Sequence, residues 1–198
     1  MVKIVAFNNE KDWNKFAFRY SYSYFLQSWD WGEVNLDLAN KIYRYGIFKG
    51  ERLVGIFLAI LQKAQRGPLS YQSLIVPAGP LIDYSNSNQV KEVFEFIEQL
   101  AKKEGADFVR VRPPILAGPE AVLLFKKSGY KAAPTHLHAE ITLQLDLFQS
   151  EEELLKQMRK TTRYSIRKAE KDGVTIKVST DPEDAKIIYH LQEATVGR

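Results

Sequence analysis

The order in which strand and helix patterns follow one another restricts this chain to few architectures. Val2 to Phe7 alternates and predicts a short strand. Asn8-Asn9 open an aromatic-rich helical region to about Tyr24, and Phe25 to Leu36 (FLQSWDWGEVNL) is a second short helical piece. Ile42 to Phe48 and Leu53 to Ala64 are strands on either side of Lys49-Gly50-Glu51-Arg52, where Gly50 suits a tight hairpin turn. Leu69 to Val76 is a further strand, closed by Pro77-Ala78-Gly79-Pro80. From Ser87 to Glu104, Val90, Val93, Phe94, Ile97 and Leu100 form the buried face of an amphipathic helix that Gly105 ends. Asp107 to Arg112 predicts a strand, Glu120 to Ser128 a helix and Glu140 to Leu145 a strand. The series β-α-α-β-β-β-α-β-α-β implies an α/β fold, a central mixed sheet with helices on both faces.

The stretch Lys156 to Lys177 concentrates the charge. It holds eight basic and two acidic residues, a net of +6, in a chain whose total is +4. The remainder is therefore −2, so the positive charge is gathered in one place. Leu155, Met158, Thr162, Ile166 and Ala169 recur at steps of three and four, which predicts one amphipathic helix beginning at Glu151-Glu152-Glu153 and ending at Gly173. Lys156, Lys160, Arg163, Arg167 and Lys171 stack on its other side, where like charges one turn apart repel. Two readings stand at this point, a solvated basic face or a site for an anion. Beyond it, Val174 to Val178 reads as a strand and Pro182 to Val196 as a helix, repeating the β-α opening of the first unit. The expected organisation is a first domain over 1–148, then a connecting basic helix and the incomplete start of a second domain over 149–198.

Composition removes several classes of function. With no cysteine among 198 residues there is no disulfide framework and no thiol chemistry. No apolar run reaches the roughly 18 residues of a membrane-spanning helix, and the N-terminus lacks a signal peptide's apolar core. A soluble, cytosolic protein is expected. His136 and His138 share a strand face, but without cysteines or a second histidine pair they are not expected to hold a metal. No Walker loop, dinucleotide fingerprint or Ser-His-Asp order occurs.

Other candidates are local. Pro77 to Asp83 (PAGPLID) is a rigid turn that either exposes amide donors, with Asp83 placed to anchor an ammonium or hydroxyl, or simply connects strand to helix. Trp29 and Trp31 lie beside Asp30 and Glu33, suited to stacking on a sugar or base, or to ordinary packing. Arg110 and Arg112 share a strand face and need either an anionic ligand or carboxylate neighbours.

FLQSWDWGEV, RYGIFKGERLVGIFLAIL, PAGPLID, FVRVRPP and above all MRKTTRYSIRKAEKDGV together resemble the Fem family of non-ribosomal peptidyltransferases, which form peptidoglycan bridges; the terminal HLQEATVGR resembles the family's "ETxxR" helix. The LxxxGY helix end at Leu124 to Tyr130 resembles acetyltransferase-like (GNAT) folds. The resemblance implies a GNAT-like first domain, the start of a second GNAT-like domain, and a ligand cleft between the two. It implies transfer of an amino acid from aminoacyl-tRNA to the stem-peptide amine of a precursor, either lipid II or a UDP-linked muropeptide, with no cofactor. It further implies peripheral contact with the inner face of the plasma membrane. Carried over by position, Arg163 and Arg167 contact precursor phosphates with Lys160 and Tyr164 nearby, Asp83 sits near the acceptor amine, and Trp31 and Asn35 belong to the substrate site. Three positions depart from the family pattern: Asn35 stands where some relatives place a basic phosphate contact, Ala78 where a larger residue is frequent, and Ser165 where asparagine is common. Two alternatives to aminoacyl transfer are a GNAT-type N-acyltransferase with another acyl donor and a non-catalytic basic domain for RNA or a membrane surface.

Overall fold

The computed structural model describes all residues except 1, 22–23, 136, 138–144 and 198. It separates into two compact units, Met1–Leu137 and His138–Arg198.

The first unit is built on a five-stranded sheet in sequential order: β1 (Lys3–Ala6), β2 (Lys41–Lys49), β3 (Arg52–Arg66), β4 (Leu69–Val76) and β5 (Phe108–Val111). The first three pairings are antiparallel, and β4 runs parallel to β5. A parallel pair needs a crossover, and α3 (Ser87–Lys103) supplies it. The β2–β3 turn forms where the sequence places it, with Gly50 in the left-handed region at φ 61°.

Alternation along β3 explains why both faces of the sheet are covered. Phe57, Ala59 and Leu61 point to one side and pack with Val90, Val93, Phe94 and Ile97 of α3. Ile56, Leu58 and Ile60 point to the other and pack with Trp13 and Ala17 of α1 (Glu10–Arg19). Asn9 caps α1 by accepting from the Asp12 amide. This helix ends at Arg19, short of the expected Tyr24, because Tyr20 turns extended and its hydroxyl donates to the Ile82 carbonyl at 2.8 Å. The piece at Phe25 to Leu36 divides into a 3₁₀ turn, Phe25–Gln27, and α2 (Trp29–Asp37), capped by Ser28. After β5 comes α4 (Pro119–Lys127), whose Phe125, with Tyr130 beyond it, packs on Phe94. The strand expected over Glu140 to Leu145 lies, apart from Leu145, outside the described residues, as do His136 and His138.

At the sheet margin Lys41 Nζ donates to Glu104 Oε2 at 2.6 Å, which holds the Glu104 carboxyl below its ordinary range. A carboxyl lowered on folding stabilises the fold above the unfolded carboxylate range and loses that contribution as pH falls through its own lowered value. The stability gap between wild type and Lys41→Met is therefore expected to narrow as urea midpoints are followed from about pH 7 to about pH 3. A gap that stays constant would remove the ion pair from the account.

The second unit corrects two expectations. The single helix from Glu151 to Gly173 is two: α5 (Glu151–Gln157) and α6 (Lys160–Lys171). Met158 and Arg159 between them are extended, at ψ 153° and 149°. The break is held from the far side, since Arg163 Nη1 donates to the carbonyls of Met158 at 2.6 Å and Lys156 at 3.3 Å. A guanidinium that satisfies carbonyls at the end of α5 stabilises the elbow over a continuous helix. Ser150 and Glu153 form a reciprocal capping box at the start of α5. Val174 to Val178 carries no strand pairing among the described residues. Pro182–Asp184 forms a 3₁₀ turn that leads into α7 (Ala185–Val196).

Candidate functional site

The two units carry separate groups of candidate residues. In the first, the site region is the turn Pro77–Asp83 and the α2 segment that supports it. At Pro77 the chain leaves the β3–β4 ladder, whose last pair is Ile60 with Ile75, and returns to β3 where Leu81 and Ile56 exchange both backbone hydrogen bonds. Leu58 lies between those two points, and a side chain fills the missing step. Gln27 is fully buried; its Oε1 accepts from the Leu58 amide at 2.8 Å, and its Nε2 donates to the carbonyls of Pro77 at 2.6 Å and Leu58 at 3.3 Å. One carboxamide thus mimics one residue of strand. Gly79 is required against it, since a Cβ there would meet Gln27 Nε2 at 2.6 Å. Ala78 is held at φ 45°, an uncommon conformation for a non-glycine residue. The result is a rigid turn that presents Asp83 at the surface, where its Oδ1 accepts from the Ser85 amide and hydroxyl at 3.0 and 2.6 Å.

The residues of α2 are less open. Asn35 is buried, with Nδ2 donating to the Trp31 carbonyl at 2.8 Å and Oδ1 accepting from Asn40 at 3.2 Å, so both ends of its amide serve the helix terminus. Trp31 is half-buried with its ring edge-on to Phe25 at 5.5 Å, and its indole N–H has no partner among the described residues. Trp29 packs on Trp13 and lies under the Arg44 guanidinium, 3.7 Å from ring centroid to Cζ. Arg44 also bonds the Trp29 carbonyl at 2.9 Å and Glu33 at 2.6 Å. That arginine crosses the helix directly over Gly32, where a Cβ would come within 2.2 Å of Nη2. Gly32→Ala is expected to destabilise by about 1–2 kcal/mol, the displaced guanidinium outweighing the helix-propensity gain of alanine. In an Arg44→Met background the same change is expected to be neutral or stabilising. A cycle of urea midpoints that shows no such coupling would contradict the assignment.

On β5, Arg110 Nη1 donates to the Thr135 carbonyl at 3.0 Å and the Arg112 guanidinium lies 5.6 Å from the Tyr24 ring centroid. Both contacts are with protein groups, a backbone carbonyl and an aromatic ring, rather than with the carboxylate neighbours expected from the sequence.

In the second unit, α6 carries the cationic candidates. Lys160 lies in its first turn, where no side chain caps the helix, and Arg167 lies two turns on; both are exposed. Tyr164 is 66% exposed between them. Arg163 is half-buried because its guanidinium reaches back to α5. Among the described residues, neither Lys160, Arg163 nor Arg167 forms an ion pair, whereas Lys156 pairs with Glu152 and Lys168 with Asp172. The basic row thus sorts into cations neutralised along the helix and cations left available. Sequence reasoning found this row by its spacing but missed Gln27 and Arg44. The signal for the latter, a glycine inside the Trp29–Asp37 helix, was present in QSWDWGEV.

A sequence model of the FemAB family matches residues 9–120 and 125–198. The chain is 24% identical over 182 residues to a lipid II:glycine glycyltransferase of Staphylococcus aureus (strain MRSA252), covering 87% of this chain and 42% of that protein. Its fold superposes on the crystal structure of FemX with a TM-score of 0.78 and 20% identity, covering 98% of this chain and 49% of the other. A glucosamine-6-phosphate N-acetyltransferase from Arabidopsis thaliana aligns over 72% of this chain and 99% of its own, with a TM-score of 0.51 and 12% identity. The fold of the first unit is therefore of the GNAT type, and the chain spans less than half the length of the curated relatives it matches. With both the strand-and-turn framework and the basic helix inside the matched segments, the chain belongs to the FemAB family.

Proposed function

We propose that the protein, together with the remaining length its relatives have, transfers an amino acid from aminoacyl-tRNA to the stem-peptide amine of a peptidoglycan precursor. The observation that carries this reading is the set of α6 cations Lys160, Arg163 and Arg167, which form no ion pair among the described residues and lie within the stretch that matches the family model. A precursor presents phosphates, and guanidinium forks match phosphate oxygens in pairs. The uncapped first turn of α6 adds backbone N–H donors beside Lys160. Arg163 serves in a second way: its hold on the Met158 and Lys156 carbonyls sets the angle at which α6 leaves α5.

The chemistry is aminolysis of an ester. The acceptor amine attacks the carbonyl carbon of the aminoacyl ester, a tetrahedral oxyanion forms, the bond to the ribose oxygen breaks, and the amine proton passes to that leaving oxygen. The donor is already activated, so holding both substrates in register supplies a large share of the rate. Asp83 is offered at the surface on a turn too rigid to drift, which suits orienting an ammonium before it loses its proton. The relatives named as lipid II:glycine glycyltransferases support a lipid-linked acceptor. Contact with the membrane face would follow from that lipid anchor.

Binding separates this reading from that of a general basic domain. A UDP-linked muropeptide is expected to bind more tightly than random RNA or anionic vesicles at equal salt. Equal affinity for all three, weakened alike by Arg167→Ala, would support a non-catalytic surface binder instead.

A further inference from the structure

A groove of about 550 Å³ runs between α1 and the β2–β3 hairpin in the first unit, apart from the residues assigned above. Its floor is apolar: Phe7, Phe16, Phe48 and Leu53 line it, and each is only half-buried, so their faces meet water. One wall is a single flank of α1, on which Asp12, Lys15 and Arg19 follow at helical spacing. The hairpin contributes Glu51 and Arg52 to the other wall. Among the described residues, Lys15, Arg19, Glu51 and Arg52 form no ion pair, and Asp12 is engaged only by Asn9, whose Nδ2 donates to its Oδ2 at 2.8 Å. The groove is thus greasy at the bottom and carries unspent charge of both signs at the rim.

The charge along α1 has a direction. Asp12 lies in the first turn and Arg19 in the last. Seven residues of helix separate them by about 10 Å. An extended chain covers that distance in about three residues. We propose that this groove binds a short extended peptide of about three residues, its amino group toward Asp12, its carboxylate toward Arg19 and an apolar side chain on the Phe16–Phe48 floor. A polyanion such as a nucleotide fits less well, because Asp12 and Glu51 offset two of the three rim cations Lys15, Arg19 and Arg52 and the apolar floor offers it no hydrogen-bond donors. The cationic end adjoins the Pro77–Asp83 turn, since the Tyr20 hydroxyl that closes it is bonded to the Ile82 carbonyl. Burial beside Asp83 raises the Tyr20 phenol to about 12, so it stays a neutral donor at physiological pH. The proposal does not rest on aminoacyl transfer.

The test is an amide-detected NMR titration of the 198-residue chain with the zwitterionic tripeptide Gly-Phe-Gly. Saturable shifts are expected at the backbone amides of Phe16, Arg19 and Leu53. Arg19→Glu is expected to weaken binding by about tenfold or more, and Asp12→Asn by a few-fold, with the rest of the spectrum unchanged. N-acetylated, C-amidated Gly-Phe-Gly is expected to bind about as weakly as the free peptide binds Arg19→Glu. The proposal is overturned if the groove amides show no saturable shift. It is overturned equally if the capped peptide binds as well as the free one, or if adenosine monophosphate saturates the same amides more tightly.

Discussion

Gln27→Leu is expected to cost about 3 kcal/mol or more of stability, although leucine is of similar size and more apolar. The change leaves the Leu58 amide and the Leu58 and Pro77 carbonyls without the partner that the carboxamide provides. Each buried backbone group left unpaired costs about 1–3 kcal/mol. Against a total of about 5–15 kcal/mol for a typical domain, this is a large share. The loss should be regional as well as global. Hydrogen exchange of the Leu58 amide and of the turn after Val76 is expected to accelerate more than that of Phe57 or Val93. A urea midpoint within about 1 kcal/mol of wild type would show that water or a shifted strand replaces the amide without penalty, and the strand-mimic account would fail. Because the turn carries Asp83, partial folding of this variant should also move the Asp83 carboxylate relative to Ser85.

Arg167→Ala is expected to weaken binding of a phosphate-bearing precursor by about 10–100-fold while leaving stability unchanged. A charge-assisted hydrogen bond contributes about 1.5–3 kcal/mol, and each 1.4 kcal/mol is a factor of ten. Arg167 is exposed and unpaired among the described residues, so its removal disturbs no structure. Arg163→Ala should behave differently. It removes the bonds to Met158 and Lys156 as well as any ligand contact, so binding loss and a change in the α5–α6 elbow are expected together. Arg163→Lys should not rescue it fully, since the shorter lysine does not carry its ammonium as far as the Arg163 Nη1 that donates to both carbonyls. The wild-type affinity should fall with added salt, and less steeply for Arg167→Ala. Equal effects of Arg163→Ala and Arg167→Ala on both stability and binding would contradict the division of labour along α6.

Much of the first unit was legible because its patterns are strong. The runs around Gly50 are aromatic and β-branched apolar stretches on either side of a turn, and the α3 positions from Val90 to Leu100 repeat with helical spacing; both elements formed where expected. The two covered faces of β3 follow from its unbroken apolar run Ile56–Leu61, with Phe57 and Leu58 buried on opposite sides. What remained hidden was carried by single side chains that replace backbone. Gln27 stands in a polar-aromatic stretch where no periodicity marks it as buried, and its partners are 31 and 50 residues away. The break between α5 and α6 has neither proline nor glycine, and Met158 and Arg159 have acceptable helix propensity; the side chain engaged at the break is Arg163, whose reach to two carbonyls no pattern announces. Val174 to Val178 has a strand pattern but pairs with no strand among the described residues, and pattern alone does not make a sheet. Spacing marked Lys160, Arg163 and Arg167 as candidates but not which of them the fold itself employs. Asn35, placed in the site by family position, has its amide consumed at the end of α2.

The most direct measurement uses the protein extended to the length of its relatives. Labelled amino acid on a panel of charged tRNAs is offered with lipid II or a UDP-linked muropeptide as acceptor. The account predicts label transferred to the stem-peptide amine, strongly reduced by Arg167→Ala and restored in part by Arg167→Lys. Absence of transfer from every charged tRNA to both acceptors, by a protein that is folded and binds the precursor, would contradict it.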